Sequence, residues 1–150
     1  MKKRFIFFLA TILILPAAGL AAEEGSFTFL SFDIGYGPAI SVNGGPMGNV
    51  QTFGLNIRIA GPLTIGTVFN HGTIADSMLK LKLDAASMVR AVIGYGQNNR
   101  VGLGFEIVPF KRTVGGLFTE LKIAPEYTWV STGNIDAGRF IIPIAMSVGF

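Results

Sequence analysis

The residues in this sequence with the clearest chemical potential are a single histidine and a few nearby polar side chains. His71 is the only histidine, and Asp76 and Ser77 follow it closely. Serine, histidine and an acid together form a hydrolytic triad, so an enzyme that hydrolyses lipid is one hypothesis for this stretch. A histidine in a solvated loop is far commoner, and we therefore predict a protein that is not an enzyme, with no catalytic residues.

Three glutamates, Glu106, Glu120 and Glu126, form a second candidate set. Paired carboxylates can act as acid and base in glycoside hydrolysis, but a simpler interpretation is that these glutamates neutralise arginines and lysines. The chain has one histidine and no cysteine, which leaves no convincing ligand set for a metal ion. The Gly-x-Gly stretches at 94–96 and 102–104 lie in strand-like patterns with no helix to follow, so they do not predict a phosphate loop. We expect no metal and no cofactor.

A period of two in hydropathy predicts the elements that carry these residues. In the last twelve residues, large apolar side chains occupy every second position: Phe140, Ile142, Ile144, Met146, Val148 and Phe150. Arg139, Ser147 and small residues stand among the intervening positions. Side chains alternate between the two faces of a strand, so this segment predicts a strand with one apolar face.

The same alternation recurs along the chain and predicts an all-β fold. It covers residues 28–37, 51–60, 63–70, 79–84, 87–95, 101–107 and 117–130, in addition to 139–150. Glycine, proline and asparagine mark the connections, of which 37–49 is the longest loop and Gly61-Pro62 a tight turn. Further connections are predicted at 71–77, 96–99, 111–116 and 131–138. Pro125 and Pro143 lack a ladder donor and predict a bulge or break in the last hairpin.

The number of strands depends on residues 84–86. One long strand through this region would give seven strands, and a helix over 75–92 is a further alternative because alanine, leucine and lysine favour helices. Leu79, Leu81 and Leu83 step by two, which does not form a helical stripe. A closed antiparallel barrel with both ends on one side needs an even count. We therefore predict a tight turn at Asp84 to Ala86 and eight strands.

The charged residues all fall on the face opposite the large apolar residues. If the barrel encloses that face, they form an ion-pair network in a narrow lumen. The predicted lumen network comprises Asp33, Arg58, Arg90, Glu106, Glu120, Lys122, Glu126 and Arg139, with Lys80 and Lys82 on the same face. Eight strands leave room for side chains only, so such a barrel is plugged rather than open.

Alternation alone does not say whether the apolar face meets lipid or a protein core. Aromatic residues near the strand ends are typical of interfacial girdles. Glycine on the polar face suits a crowded interior, and few residues are charged for a water-exposed surface. These features favour an apolar face that points outward into lipid.

The N-terminus predicts export. Lys2-Lys3-Arg4 precede the apolar stretch 5–15, and small residues end it at Ala22, which is typical of a secretory signal peptide over 1–22. The remaining residues, 23–150, form one predicted barrel domain. Removing the three leading bases leaves nine Lys and Arg against nine Asp and Glu. A neutral chain without a basic patch indicates no nucleic-acid partner.

On these residues the chain resembles the small outer-membrane β-barrels of the OmpA-transmembrane, OmpX and OmpW type. The resemblance covers the whole of 23–150 as a pattern, ending in an aromatic residue with apolar residues at alternate positions before it. It implies an eight-stranded antiparallel up-and-down transmembrane barrel in the bacterial outer membrane. It also implies that the barrel-assembly machinery recognises Met146, Val148 and Phe150 as an assembly signal.

The leading functional hypothesis is a non-enzymatic outer-membrane barrel with a side-chain-filled lumen. Its role is structural or at the cell surface, or it is a narrow conduit for small solutes, including hydrophobic ones. The alternatives are a soluble periplasmic barrel that binds an apolar ligand, as lipocalins do, and an outer-membrane lipid-modifying enzyme that uses His71. The expected partner is outer-membrane lipid.

Overall fold

The computed structural model describes residues 30–42, 45–132 and 138–150. The predicted signal peptide, 1–22, lies outside the described residues, as do Thr28 and most of the 131–138 connection. Among the described residues, the structure contains no helix that could span a membrane.

Ten β segments account for most of the described chain. They are β1 (Leu30–Ser41), β2 (Gly45–Ala60), β3 (Leu63–Gly72), β4 (Asp76–Ala86), β5 (Val89–Gly96), β6 (Arg100–Val114), β7 (Leu117–Ile123), β8 (Glu126–Val130), β9 (Arg139–Ile141) and β10 (Ile144–Gly149). A short 3-10 turn, Gln97–Asn99, joins β5 to β6.

The segments form an eight-stranded antiparallel closed barrel. β1 to β6 are the first six strands, β7 and β8 together make the seventh, and β9 and β10 make the eighth. Each strand pairs with its neighbour in the chain, and β1 pairs with both β9 and β10 to close the barrel. The prediction of an all-β fold with eight antiparallel strands is therefore confirmed.

The pairing register fixes the inclination of the strands. A walk around the barrel from each residue to its paired neighbour starts at Leu30 and comes back to β1 at Ile40. It passes through Ile57, Ile65, Leu81, Ile93, Leu103, Tyr127 and Phe140. The walk ends ten residues further along β1 than it began, which is the shear of the barrel. Strand tilt and shear are linked, and this shear with eight strands corresponds to a tilt of about 40°.

The two ends of the barrel differ. Gly61-Pro62, Ser87-Met88 and Gly115-Gly116 form two-residue turns at one end, where the backbones of Leu30 and Phe150 also bond to each other. We call this the turn end. The opposite end, which carries residues 73–75 and 97–99, is the loop end.

The turn predicted at Asp84 to Ala86 lies two residues later. β4 continues through Ala86, and Ser87-Met88 form the turn before β5. Asp84 pairs with Arg90, and the register shifts between Asp84 and Ala86. The bulge takes up one residue, so Asp84 stays on the inner face of a strand.

Two other predicted connections are largely strand. β1 runs on to Ser41 and β2 begins at Gly45, so most of the predicted loop 37–49 is a paired hairpin. Similarly, β6 extends to Val114, where 111–116 was predicted to be a connection. Glycine and proline in these stretches indicated loops, whereas Gly37 serves a close backbone approach: a Cβ there would lie 2.1 Å from the Ile142 carbonyl oxygen.

The prolines of the last hairpin break it, as the sequence predicts. β7 gives way to β8 at Ala124-Pro125, and β9 gives way to β10 at Ile142-Pro143. The ladder keeps the same register on both sides of the break, with Ile144 opposite Ile123 and Ile141 opposite Glu126. The Ala124 N–H still donates to the Pro143 carbonyl at 3.0 Å. Each proline therefore removes a donor without shifting the strands.

Candidate functional site: the charged lumen

The barrel turns most of its large apolar side chains outward. Phe32, Ile34 and Tyr36 of β1 are exposed, whereas Asp33 and Gly35 between them are buried. The outward set includes Phe53, Leu55, Ile57, Phe69, Leu79, Tyr95, Leu103, Phe105, Leu121, Phe140, Ile144 and Met146. Leu83, on the same outward face, is an exception, since its neighbours cover it. The charged face of nearly every strand is thus the inner face.

Four side chains form what we call the central cluster: Asp33, Lys82, Glu106 and Lys122. Each lysine contacts both acids. Lys82 Nζ lies 3.2 Å from Asp33 Oδ2 and 2.7 Å from Glu106 Oε1. Lys122 Nζ lies 2.6 Å from Asp33 Oδ2 and 3.6 Å from Glu106 Oε1. Ser147 Oγ donates a further hydrogen bond to Asp33 Oδ1, so the alternating charges are almost fully removed from solvent yet mutually neutralised.

A second group, the turn-end cluster, consists of Arg58, Asp84, Arg90 and Glu120. Arg90 binds Glu120 through both terminal nitrogens, with Nη1 to Oε2 at 2.6 Å, and its Nε donates to Asp84 Oδ1 at 2.6 Å. Arg58 pairs with the other Asp84 oxygen. Such bidentate, charge-assisted bonds are among the strongest available to side chains. Arg90 Nη1 also lies 3.5 Å from Glu106 Oε2, which links this cluster to the central one.

Toward the other end lies the loop-end cluster, made of Asp76, Lys80, Arg100, Glu126 and Arg139. Lys80 pairs with Glu126, and Arg139 pairs with Asp76. Arg100 Nε lies 3.4 Å from Asp76 Oδ2, and Asn70 donates to the other oxygen at 2.6 Å. The three clusters together carry nearly all the charge on the inner face.

Side chains pack closely around glycines on the inner face. A Cβ at Gly102 would lie 2.2 Å from Glu126 Oε1, and a Cβ at Gly66 would lie 2.3 Å from Asn56 Oδ1. In the described chain, Asn56 Oδ1, Glu106 Oε2 and Glu126 Oε1 are buried without a hydrogen-bond partner. Side chains therefore come close together across the lumen at these positions.

An apolar cluster stands beside the charges near the loop end. Ala39, Val50 and Ile141 point inward, and Ile74, from the connection between β3 and β4, packs onto them with only 1% of its surface exposed. A loop residue thus caps this side of the lumen with aliphatic side chains.

A cavity of about 40 Å³ opens at the turn end. Its walls include Arg58, Arg90, Lys111 and Glu120, with Phe118 and several hydroxyl and amide groups. Lys111 Nζ lies 5.2 Å from the centre of the Phe118 ring, a cation–π contact. Space thus remains next to cationic groups in this part of the inner face.

All eight residues predicted for the lumen network lie on the inner face, each in at least one ion pair. Lys80 and Lys82 join them. Sequence reasoning missed Asp76 and Asp84 because it placed them in a loop and a turn, and it assigned Arg100 to no strand. Asp76 and Asp84 lie an even number of residues from inward charges such as Lys80 and Lys82, and this spacing could have revealed their inward orientation.

The histidine is not part of this arrangement. His71 lies in β3 opposite Gln51, with its side chain exposed on the outer side, while Asp76 points inward to Arg139. The structure thus separates the two groups of the hypothetical triad. The described residues include no group of three or more histidines and acids placed to hold a metal ion.

The residues of the predicted assembly signal lie at the end of the eighth strand. Met146 and Phe150 are exposed on the outer face, and Val148 is half-buried on the same face opposite Phe32. The backbone of Phe150 exchanges hydrogen bonds with Leu30. These three side chains thus form an outward apolar edge along the closing seam.

No protein-family model, curated protein or solved structure matches the chain. What can be said of its function therefore depends on the barrel itself.

Proposed function

We propose that this chain is a bacterial outer-membrane β-barrel whose lumen is plugged by its own side chains, and that its role is structural or at the cell surface. It is not an enzyme and needs no cofactor. The outward apolar side chains contact the acyl chains of the membrane lipid. The inward ion pairs replace the water that a porin would hold.

A single observation carries this proposal, namely the polarity of the barrel wall. Exposed side chains such as Ile34, Leu79 and Ile144 have more than half their surface accessible, while Lys82 and Lys122 are almost fully buried. Arg or Lys at the bilayer midplane on the lipid face costs roughly 2–4 kcal/mol, so a lipid-facing wall must hide its charges. A soluble barrel in water would show the opposite arrangement.

The dimensions of the wall support the same proposal. Ten residues of strand at about 3.3 Å each, inclined by about 40°, rise about 25 Å. That is the height of the apolar band in outer-membrane barrels, about 25 Å. Tyr36, Tyr95, Tyr127 and Trp129 lie toward the loop end, where rings with a polar group suit a membrane interface.

The contents of the lumen favour a structural or surface role over a conduit. A soluble, lipocalin-like barrel would need apolar space inside for its ligand, and a channel for hydrophobic solutes would need a continuous apolar passage. Instead, ion pairs fill the middle of the barrel, and Ile74 caps one side near the loop end. We infer that reconstituted protein does not conduct ions in steady, open-pore steps.

The proposal also orients the chain. Outer-membrane barrels place their short turns in the periplasm, so the turn end faces inward and the loop end faces the outside. Met146, Val148 and Phe150, the outward edge of the last strand, are then the residues available to the barrel-assembly machinery during insertion.

Membrane fractionation combined with gel mobility tests this function. The expressed full-length chain should fractionate with outer membranes, resist extraction by carbonate, and run at different positions before and after boiling. A protein recovered from the soluble periplasmic fraction, with the same mobility before and after boiling, would contradict the proposal and favour the soluble barrel.

A further inference from the structure

The hairpin of β6 and β7 extends beyond the neighbouring strands at the turn end. The Val108 N–H donates to the Met88 carbonyl at 2.8 Å, where the turn between β4 and β5 ends that side of the wall. β6 continues from there to Val114, and among the described residues its ladder partners after Ile107 lie in β7. This hairpin therefore projects from the rim of the barrel.

Arg112 points from this hairpin to the outer face. Lys111, just before it, contacts the Phe118 ring on the inner face, and side chains alternate along a strand. Arg112 therefore shares the outer face with Phe110 and Val114, which are at least half exposed. Among the described lysines, arginines and carboxylates, it is the only one on that face, since the others lie on the inner face.

The positive charge of Arg112 has no acid beside it. Each described carboxylate is bound inside the barrel to lysines or arginines of the three clusters. Thr119, directly opposite Arg112 in the ladder, is uncharged. The side chain of Arg112 is exposed, so a negatively charged group can reach it from outside the protein.

The register places Arg112 at the rim of the apolar wall. Through Thr119 it is aligned with Val148, two strands away. A shear of ten residues over eight strands shifts the level by about two and a half residues over two strands, which brings Arg112 level with Phe150. A base on the lipid face costs little near the membrane interface, in contrast to the midplane. This position suits the boundary between acyl chains and headgroups.

We propose that Arg112 binds the headgroup phosphate of an anionic phospholipid in the periplasmic leaflet, an inference that rests on the membrane location proposed above. The planar guanidinium presents paired N–H donors that match two phosphate oxygens. Phe110 and Val114 flank it on the same face and pack against the acyl chains of that lipid. A zwitterionic headgroup binds less well, because its own ammonium group already neutralises the phosphate.

Lipid contact at this position is measured by quenching of tryptophan fluorescence in vesicles of phosphatidylcholine and phosphatidylglycerol. Trp129 is the only tryptophan, so Trp129→Phe removes the background and Phe110→Trp places a reporter beside Arg112. The bromine quencher is carried on the acyl chains of one lipid or the other, at constant overall composition. Phosphatidylglycerol should be enriched about fivefold at the reporter, as expected for one base near the surface. Arg112→Gln should abolish the enrichment, and Arg112→Lys should keep part of it.

Two controls are matched to this measurement. Lys111→Gln removes the adjacent base, whose ammonium group lies against the Phe118 ring on the inner face, so the enrichment should stay within about twofold of the parent protein. Ile57→Trp places the reporter on the opposite wall, in β2, where the outer face carries no described charge. The two lipids should be equally represented there. Gel mobility before and after boiling establishes that each variant is folded.

Two results would overturn the headgroup site and leave the membrane barrel intact. One is equal representation of the two lipids at the Phe110→Trp reporter, and the other is an equal loss of enrichment in Lys111→Gln and Arg112→Gln. If neither brominated lipid quenched either reporter, the membrane location would be wrong, and the headgroup site with it.

Discussion

At the scale of single residues, the barrel depends on buried charges that are stable only when opposite charges and hydrogen bonds surround them. Removing an ion from water costs several kcal/mol, and the cost is recovered only when opposite charges and hydrogen bonds surround it. Asp33 is held by Lys82, Lys122 and Ser147, and Glu120 is bound by both terminal nitrogens of Arg90. Each group is balanced by several others, so deleting one leaves its partners buried with an uncompensated charge.

We predict that Glu120→Ala lowers the free energy of unfolding in detergent by about 3–5 kcal/mol, the cost of breaking a buried pair. Glu120 is 1% exposed. Arg58→Ala should cost less, because Arg58 is partly solvated and Arg90 still holds Asp84. Urea titrations of the two variants test the order. Arg112→Ala serves as an unpaired surface control, and a Glu120→Ala effect no larger than that control would refute a packed lumen.

The inward orientation of Asp33, Glu106 and Lys122 could be predicted from the sequence, because each lies two residues or a multiple of two from other polar positions in a long alternating run. Which acid binds which base could not. Those pairings bring together residues far apart in the chain, such as Asp33 with Lys122, and depend on the shear of the closed barrel. Arg100 gave no signal at all, since it lies beside a turn.

At the scale of the elements, glycine occurs both in loops and at close backbone contacts within strands, and composition does not distinguish these two cases. The glycine- and proline-rich stretch 37–49 indicated a loop, yet Gly37 lies in β1 where the break at Ile142-Pro143 comes close. The two prolines correctly predicted the break in the last hairpin, because a residue without an N–H donor interrupts the hydrogen bonds of any strand. The displaced turn after Asp84 reflects a bulge, which adds one residue without any distinctive sequence.

Gly37→Ala should destabilise the barrel more than Gly54→Ala. A Cβ at position 37 would lie 2.1 Å from a backbone oxygen, whereas one at position 54 would meet the Asp33 side chain at 3.0 Å. Backbone in a closed ladder moves less readily than a side chain, so we expect a loss of about 1–3 kcal/mol for Gly37→Ala and a smaller loss for Gly54→Ala. Thermal unfolding of the two folded variants in detergent tests this order of stability. Equal melting temperatures would mean that the break does not press on β1.

At the scale of the whole molecule, closure of the barrel pairs the first strand with the last, so neither is left with an unpaired edge. The seam between β1 and β10 pairs Ile34 with Met146, and both side chains point outward. An even number of strands and one shared end for Leu30 and Phe150 follow from alternating strand directions, so these features were predictable. The shear was not, because it is set by the register of all eight pairings together.

The pairing at the seam predicts that two cysteines introduced at opposed positions form a disulfide. The chain contains no cysteine, and directly opposed residues of antiparallel strands have Cα atoms about 5.5 Å apart in a hydrogen-bonded pair, within the range of a disulfide. Ile34→Cys with Met146→Cys should therefore oxidise readily and shift the gel mobility of the boiled protein. Ile34→Cys with Phe140→Cys, which are not partners, provides the control. Equal cross-linking in both, or in neither, would contradict the closing register.

The proposed contact between the apolar wall and lipid is tested most directly by spin labels on single cysteines in bilayer-reconstituted protein. We predict that labels at Leu55, Leu103 and Ile144 collide more with oxygen, which concentrates in acyl chains, than with a water-soluble nickel chelate. A label at the exposed Thr132 near the loop end should show the reverse. If the three wall positions were as accessible to the nickel chelate as Thr132, the wall would face water, and the membrane barrel would be wrong.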